Sequence, residues 1–143
     1  MGNDCQIFSG VSFGSEPYLI SLGNKVKIVG ETTFITHDGG VEVLRNLYNL
    51  PKIDFFGKIT IGNNVFIGYR CTILPGVNIG DNCIIGAGSV VTRSIPANSV
   101  AAGVPAHVIK DISSYYQKHK DYFENTKNYS KKEKKEYLVK KYF

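Results

Sequence analysis

The 143-residue chain carries a net charge of +5, an ordinary apolar content and three cysteines. Its length fits a single domain, and no stretch approaches the roughly 18 apolar residues of a membrane span. Cys5, Cys71 and Cys83 form an odd set without CxxC spacing, which argues against a disulfide frame or a zinc site and for reduced, buried thiols.

The start, Met1-Gly2-Asn3-Asp4, lacks the basic and apolar segments of a leader, and Gln6 stands where a myristoylation signal needs Ser or Thr. The expectation is a cytoplasmic protein. From Met1 the chain falls into sixes: MGNDCQ, IFSGVS and FGSEPY, then LGNKVK and IVGETT, with Phe34 opening FITHDG. There the period breaks, and 21 extra residues intervene before it resumes at Ile61. Residues 38–58, "DGGVEVLRNLYNLPKIDFFGK", read as an inserted loop that leaves the repeat at Gly39-Gly40. Its apolar residues, such as Leu47, Tyr48 and Phe55, predict packing on a neighbouring subunit, and long loops in compact domains usually carry function.

Residues 61–96 hold six hexads in register: IGNNVF, IGYRCT, ILPGVN, IGDNCI, IGAGSV and VTRSIP. Position 1 is always Ile or Val, and position 5 is small or β-branched. This is the signature of a coil of short parallel strands. Position 1 points inward and stacks on its counterpart one turn away, about 4.8 Å along the axis. All three cysteines fall at position 5 and face inward. The pattern fades through ANSVAAGVPA, after about four full turns and part of a fifth. The expected architecture is all-β, a parallel β-helix domain over 1–110 followed by a Lys/Tyr-rich helical tail over 111–143. Ser130-Lys131-Lys132-Glu133 fits a capping box and predicts a helix from about 131 to 141. An earlier helix from about 112 to 125 would show an apolar stripe of Ile112, Tyr115, Tyr116, Tyr122 and Phe123. Such helices would cover the open end of the coil.

Charge separates these two parts. Residues 1–112 carry eight Lys/Arg and eight Asp/Glu, whereas residues 113–143 carry nine Lys and four Asp/Glu. All the excess lies in the tail, which argues against a nucleic-acid-binding core.

The hexads, the loop after a histidine and the closing stretch "IGAGSVVTRSIPANSVAAGVPAHVIKDI" together resemble the hexapeptide-repeat acyltransferases. Within them the chain is most similar to the maltose/galactoside type and to capsule-sugar O-acetyltransferases. The resemblance covers about residues 5–112. It implies a left-handed β-helix, a homotrimer with active sites between subunits, and acetyl-CoA as co-substrate without a metal. The handedness rests on the resemblance alone, since the general rule for parallel crossovers is right-handed. The maltose type carries a helical segment before its coil. Here the hexad phase begins at Met1, so that segment is expected to be missing or replaced.

By that resemblance His37 is the catalytic base. The chemistry suits it, because a hydroxyl attacks a thioester well only if its proton leaves, and imidazole accepts protons near neutrality. Glu16 lies one turn earlier, in the hexad of Phe13 on the same face as Phe34. It can orient the imidazole or touch the acceptor, or else cap the corner before Pro17. Asp38 reads as a loop hydrogen-bond acceptor beside the acceptor site, Ser9 as an acceptor contact, and Arg45 and Asn46 as sugar contacts. The resemblance places the donor on Tyr69, Ala87, Thr92, Arg93 and Lys110. Tyr69 and Ala87 stand 18 residues apart, one turn, and Arg93 and Lys110 supply charge for phosphates. His107 and His119 fall outside the coil and are poor candidates for the base. The expected activity is acetyl-CoA-dependent O-acetylation of a sugar or cell-envelope saccharide. Serine and antibiotic acetyltransferases are the close alternatives. A γ-type carbonic anhydrase would need three zinc histidines in the coil, where only His37 lies, and a non-enzymatic scaffold is the third class.

Overall fold

Strands of two or three residues recur at six-residue intervals, and a computed structural model covering residues 1–143 shows how they stack. The first face carries β1 (Gln6–Ile7), β3 (Lys27–Ile28), β6 (Phe66–Ile67), β9 (Ile84–Ile85) and β11 (Ser99–Gly103) as parallel neighbours in that order. The second face carries β4 (Thr33–Phe34), β7 (Thr72–Ile73) and β10 (Val90–Val91), and the third carries β2 (Ile20–Leu22), β5 (Ile59–Ile61) and β8 (Asn78–Ile79). Single parallel bridges extend them, Ser12 with Thr33 on the second face and Ile79 with Ile95 on the third.

Register makes the hexad visible in the core. Ile7, Ile28, Ile67, Ile85 and Ala101 form one column; Phe34, Ile73 and Val91 a second; Leu22, Ile61 and Ile79 a third. Apart from half-buried Ile7, all of these are buried, and each large aliphatic among them contributes roughly 1.5–3 kcal/mol by leaving water. Smaller side chains fill between the columns, among them Val26, Val65, Val77, Cys71 and Cys83. Burial pushes the Cys71 and Cys83 thiols up from their ordinary pKa, which keeps them protonated and unreactive. Cys5, at the open start of the coil, is half-buried.

The corners need backbone that most residues resist. Asn64, Asn82 and Asn98 hold φ of 55°, 54° and 60° at one corner, a left-handed conformation that asparagine tolerates. Their amides also bond along the stack, Asn64 Nδ2 to Asn82 Oδ1 at 2.8 Å and Asn82 Nδ2 to Asn98 Oδ1 at 3.1 Å. At the next corner a Cβ on Gly68 would sit 2.6 Å from the Ala87 nitrogen, so close approach of the two turns demands glycine there.

Two features depart from the hexad reading. The inserted segment is not wholly irregular: Val41–Leu47 forms a helix, α1. The fading stretch is an antiparallel hairpin, in which β12 (Ala106–Asp111) folds back on β11 through Gly103 at φ 112°. That hairpin ends the first face, and the helix that follows packs against it. This helix, α2, spans Ile112–His119 and is shorter than the expected 112–125; a 3-10 turn over Lys120–Tyr122 ends it. Asp111 caps it by accepting from the Ser114 nitrogen at 2.7 Å.

The last helix, α3, spans Lys131–Tyr142 and starts with the expected capping box between Ser130 and Glu133. None of its residues is buried. Its tie to the rest runs through Glu124, whose carboxylate takes the Tyr137 hydroxyl at 2.6 Å and pairs with the Lys141 ammonium. Lys141 first, then Tyr137, holds the Glu124 carboxyl below its usual range, and Glu124 in turn raises Lys141. The depressed carboxyl adds stability above its unfolded pKa and loses it as pH falls through the folded value. The raised ammonium adds stability below its unfolded pKa and loses it as pH rises through the folded value. Docking of α3 is therefore expected to be strongest between those limits and to weaken below about pH 4.5, the ordinary carboxyl range. Glu124→Gln should remove most of the acid-side loss, read as α3 amide exchange by NMR. An unchanged acid response in that variant would assign the tie to other groups.

Candidate active site

The site forms where the second face turns toward the third. Strand β4 delivers Thr36, buried, and then His37 at the point where the chain leaves the coil. The neck of the insertion is closed by two backbone bonds, Gly57 N–H to the Thr36 carbonyl at 2.8 Å and Asp38 N–H to the Phe55 carbonyl at 3.0 Å. This antiparallel bridge, pairing His37 with Phe56, fixes the imidazole at the neck of the insertion.

One turn earlier, Glu16 precedes the short 3-10 turn Pro17–Leu19. Phe13 stacks on Phe34 with ring centroids 5.2 Å apart, which aligns the two hexads and brings Glu16 to His37. Glu16 Oε2 lies 3.1 Å from His37 Nδ1 and accepts from the Thr36 hydroxyl at 2.7 Å. Ser15 Oγ lies 3.4 Å from the same ring nitrogen. Thr36 first, then Ser15, holds the Glu16 carboxyl below its ordinary range, and burial opposes them. The Glu16 side chain is 17% exposed and that of His37 46%, so an ionised carboxylate sits behind an imidazole that reaches solvent. With Nδ1 turned to Glu16, Nε2 is the nitrogen left for chemistry. A pocket of about 160 Å³ opens in front of the pair, lined by Ser15, Glu16, His37, Asp38, Asp54, Phe55 and Phe56.

The other expected residues divide. Asp38 lines the pocket and takes the Gly40 N–H at 2.8 Å, a loop acceptor as its position suggested. Arg45 turns inward to its own loop. Its Nε donates to the Ile53 carbonyl, and its two terminal nitrogens pair with Glu42 at 2.6 Å and Asp54 at 2.7 Å. Arg45 therefore shapes the pocket through Asp54 and does not line it; Asn46, exposed on α1, does not line it either. Ser9 lies at the corner between the first and second faces, where its carbonyl meets Gly30, away from His37 of the same chain. Tyr69 and Ala87 stand at that corner too, with the Gly88 N–H bonded to the Tyr69 carbonyl at 2.8 Å. Thr92 and Arg93 follow β10 at the His37 corner, two strand levels beyond β4, or about 10 Å along the axis. Lys110 lies on β12 opposite Val100. His107, exposed, lies with Nδ1 3.3 Å from the Pro105 carbonyl, and His119 with Nδ1 2.8 Å from the Tyr115 carbonyl.

Sequence reading passed over Ser15, Thr36, Asp54 and Phe56. Thr36 carried a usable signal: strand alternation from Phe34 points it inward, and an inward hydroxyl requires a partner. Asp54 and Phe56 carried none, because only the return of the loop brings them beside His37.

Known proteins resemble this chain in sequence and fold. The family profile described as "Hexapeptide repeat of succinyl-transferase" matches residues 58–93. Protein CapG of Staphylococcus aureus is 50% identical over 144 residues, 99% of this chain and 83% of that protein. The galactoside O-acetyltransferase of Escherichia coli (strain K12) is 45% identical over 102 residues, 68% of this chain, which spans about half (47%) of that relative. Among solved structures, a maltose O-acetyltransferase from Clostridium difficile 630 superposes with a TM-score of 0.52 at 29% identity, over 78% of this chain and 66% of that one. A hexapeptide-repeat acetyltransferase from Vibrio cholerae O1 biovar eltor, complexed with acetyl-CoA, does so with 0.58 at 28% identity, over 64% and 49%. Likeness to these structures implies that the coil of parallel sheets is a left-handed β-helix. A hexad coil in register, a repeat profile laid on it and a half-identical relative covered along most of its length lead to one conclusion: this chain belongs to the hexapeptide-repeat acyltransferases.

Proposed function

We propose that the chain is an acetyl-CoA-dependent O-acetyltransferase whose acceptor is a sugar or cell-envelope saccharide hydroxyl. The observation that carries this reading is the Glu16–His37 pair at the mouth of the pocket. The acceptor hydroxyl passes its proton to His37 Nε2 as its oxygen attacks the thioester carbonyl. Glu16 stabilises the imidazolium that forms. The tetrahedral adduct then expels the CoA sulfur, which takes the proton from Nε2, so that ester and free thiol leave and the base is restored.

The pocket suits a saccharide. Phe55 and Phe56 offer apolar faces for ring C–H groups, and Asp38 and Asp54 offer oxygens to ring hydroxyls. For the donor, Thr92 and Arg93 lie along the axis from His37; Arg93 and Lys110 would pair with its phosphates, and Tyr69 and Ala87 would supply backbone contacts. These two groups stand at opposite edges of the second face; a donor held between two copies would meet one group on each. That arrangement supports a homotrimer with shared sites, in which Ser9 of one copy serves its neighbour. Exposed loop residues such as Leu47, Tyr48 and Phe55 would then be covered by the adjoining subunit. We read 1–110 as the catalytic coil with its insertion at 38–58, and 111–143 as an appended tail. The three free cysteines suit the reducing cytoplasm, and no helix is long and apolar enough to cross a membrane.

Thiol release from acetyl-CoA, followed with neutral sugars, nucleotide sugars, serine and antibiotics, tests the reading. The expected result is turnover with a saccharide. Turnover with serine or an antibiotic would transfer the assignment to those classes. No turnover with any acceptor, together with no CoA binding by calorimetry, would overturn the enzyme reading.

A further inference from the structure

We infer that Thr36 is a positioning residue: its hydroxyl, bonded to the Glu16 oxygen that also faces His37, sets the tautomer of the base. The inference rests on the proposed role of His37. Its basis is geometric. Glu16 Oε2 has two neighbours at hydrogen-bond distance, Thr36 Oγ1 at 2.7 Å and His37 Nδ1 at 3.1 Å. Thr36 is fully buried, and its hydroxyl has no other acceptor among the hydrogen bonds of the structure. It donates, so Oε2 must accept.

The same oxygen then asks for a proton from the imidazole, which places that proton on Nδ1 and leaves the Nε2 lone pair toward the pocket. An isolated neutral imidazole prefers the opposite tautomer, with its proton on Nε2, and that form has no lone pair to take a hydroxyl proton on the pocket side. The carboxylate must therefore be held both ionised and aimed. Thr36 does this from a position that cannot drift: its side chain is buried, and its carbonyl is tied to Gly57 N–H at the loop neck. Ser15, at 3.4 Å from Nδ1 and exposed, can offer the ring an alternative acceptor once Glu16 is free to turn.

A purely structural threonine would satisfy the same burial, so the test must read more than stability. Thr36→Val keeps the shape and removes the hydroxyl. It is expected to lower kcat about ten-fold, the scale of one lost hydrogen bond to a charged group, with KM for donor and acceptor within about two-fold. Thr36→Ser should restore most of the rate. In a Glu16→Gln background, Thr36→Val should cost less than about two-fold, because residues acting through one another are not additive. ¹⁵N NMR of neutral His37 should show the proton on Nδ1 in the wild type and a tautomer mixture in Thr36→Val. If the valine variant does not fold, Thr36→Ala gives the same comparison. A full ten-fold loss in the Glu16→Gln background, or a wild-type His37 protonated on Nε2, would overturn the inference. Absence of acetyl transfer by the wild type would instead count against the proposed function, and the NMR readout would still judge the role of Thr36.

Discussion

Replacing His37 with alanine is expected to lower kcat for acetyl transfer by about 10²–10⁴-fold, the usual contribution of a positioned general base, while folding is unchanged. The imidazole side chain is 46% exposed and belongs to no core column. Its removal therefore falls among surface changes, within about 0.5 kcal/mol in stability. CoA binding should persist, since the expected donor residues Thr92 and Arg93 lie two strand levels away. The measurement is thiol release at saturating substrates beside a thermal melt. In the His37→Ala background, Glu16→Gln should cost nothing more, as the proposed action of the carboxylate through the ring requires. Undiminished turnover in His37→Ala would remove His37 from the mechanism, and a collapsed melting curve would make it a structural residue.

Phe34→Ala is expected to do the reverse: it should destabilise the protein by about 3–5 kcal/mol, the range for truncating a buried aromatic. Phe34 is fully buried, pairs in register with Ile73 and stacks on Phe13 at 5.2 Å. The ring joins the first turn to the second at the level that carries the site, and Thr36 and His37 follow directly after its strand. Loosening that level should also reduce activity at temperatures where the protein remains folded, because Glu16 and His37 are aligned by this stack. Urea unfolding at fixed protein concentration measures the cost, and the fixed concentration matters if subunits associate. A loss under about 1 kcal/mol would mean that the site collapses to fill the cavity, and would remove Phe34 as the anchor of His37.

These two substitutions mark what was legible. The inward columns could be read because hexad periodicity is a local signal: position 1 repeats as Ile or Val, and every such residue from Ile61 to Ile85 is buried. The capping box at Ser130 could be read for the same reason. The β11–β12 hairpin could not, because Ala and Val at 100–106 fit a strand in either direction and only the Gly103 turn reverses it. Helix α1 lay hidden in the insertion: Val41, Leu44 and Tyr48 keep helical spacing, but only over two turns and directly after Gly39-Gly40, which read as a loop.

The sequence by itself determined the parallel coil, the break at FITHDG and the histidine at that break, because each follows from the spacing of aliphatic and glycine residues along one chain. It also put Glu16 in the right hexad, though without deciding between an orienter and a corner cap. Tertiary structure stacks Phe13 on Phe34 and brings Glu16 Oε2 within 3.1 Å of His37 Nδ1, the geometry that the proposed orienting role uses. It also took Arg45 out of the pocket, returned Asp54 and Phe56 to it, and set Thr36 behind the carboxylate. Periodicity specifies which way a side chain points, whereas contacts between residues twenty apart depend on how turns stack and where a loop returns.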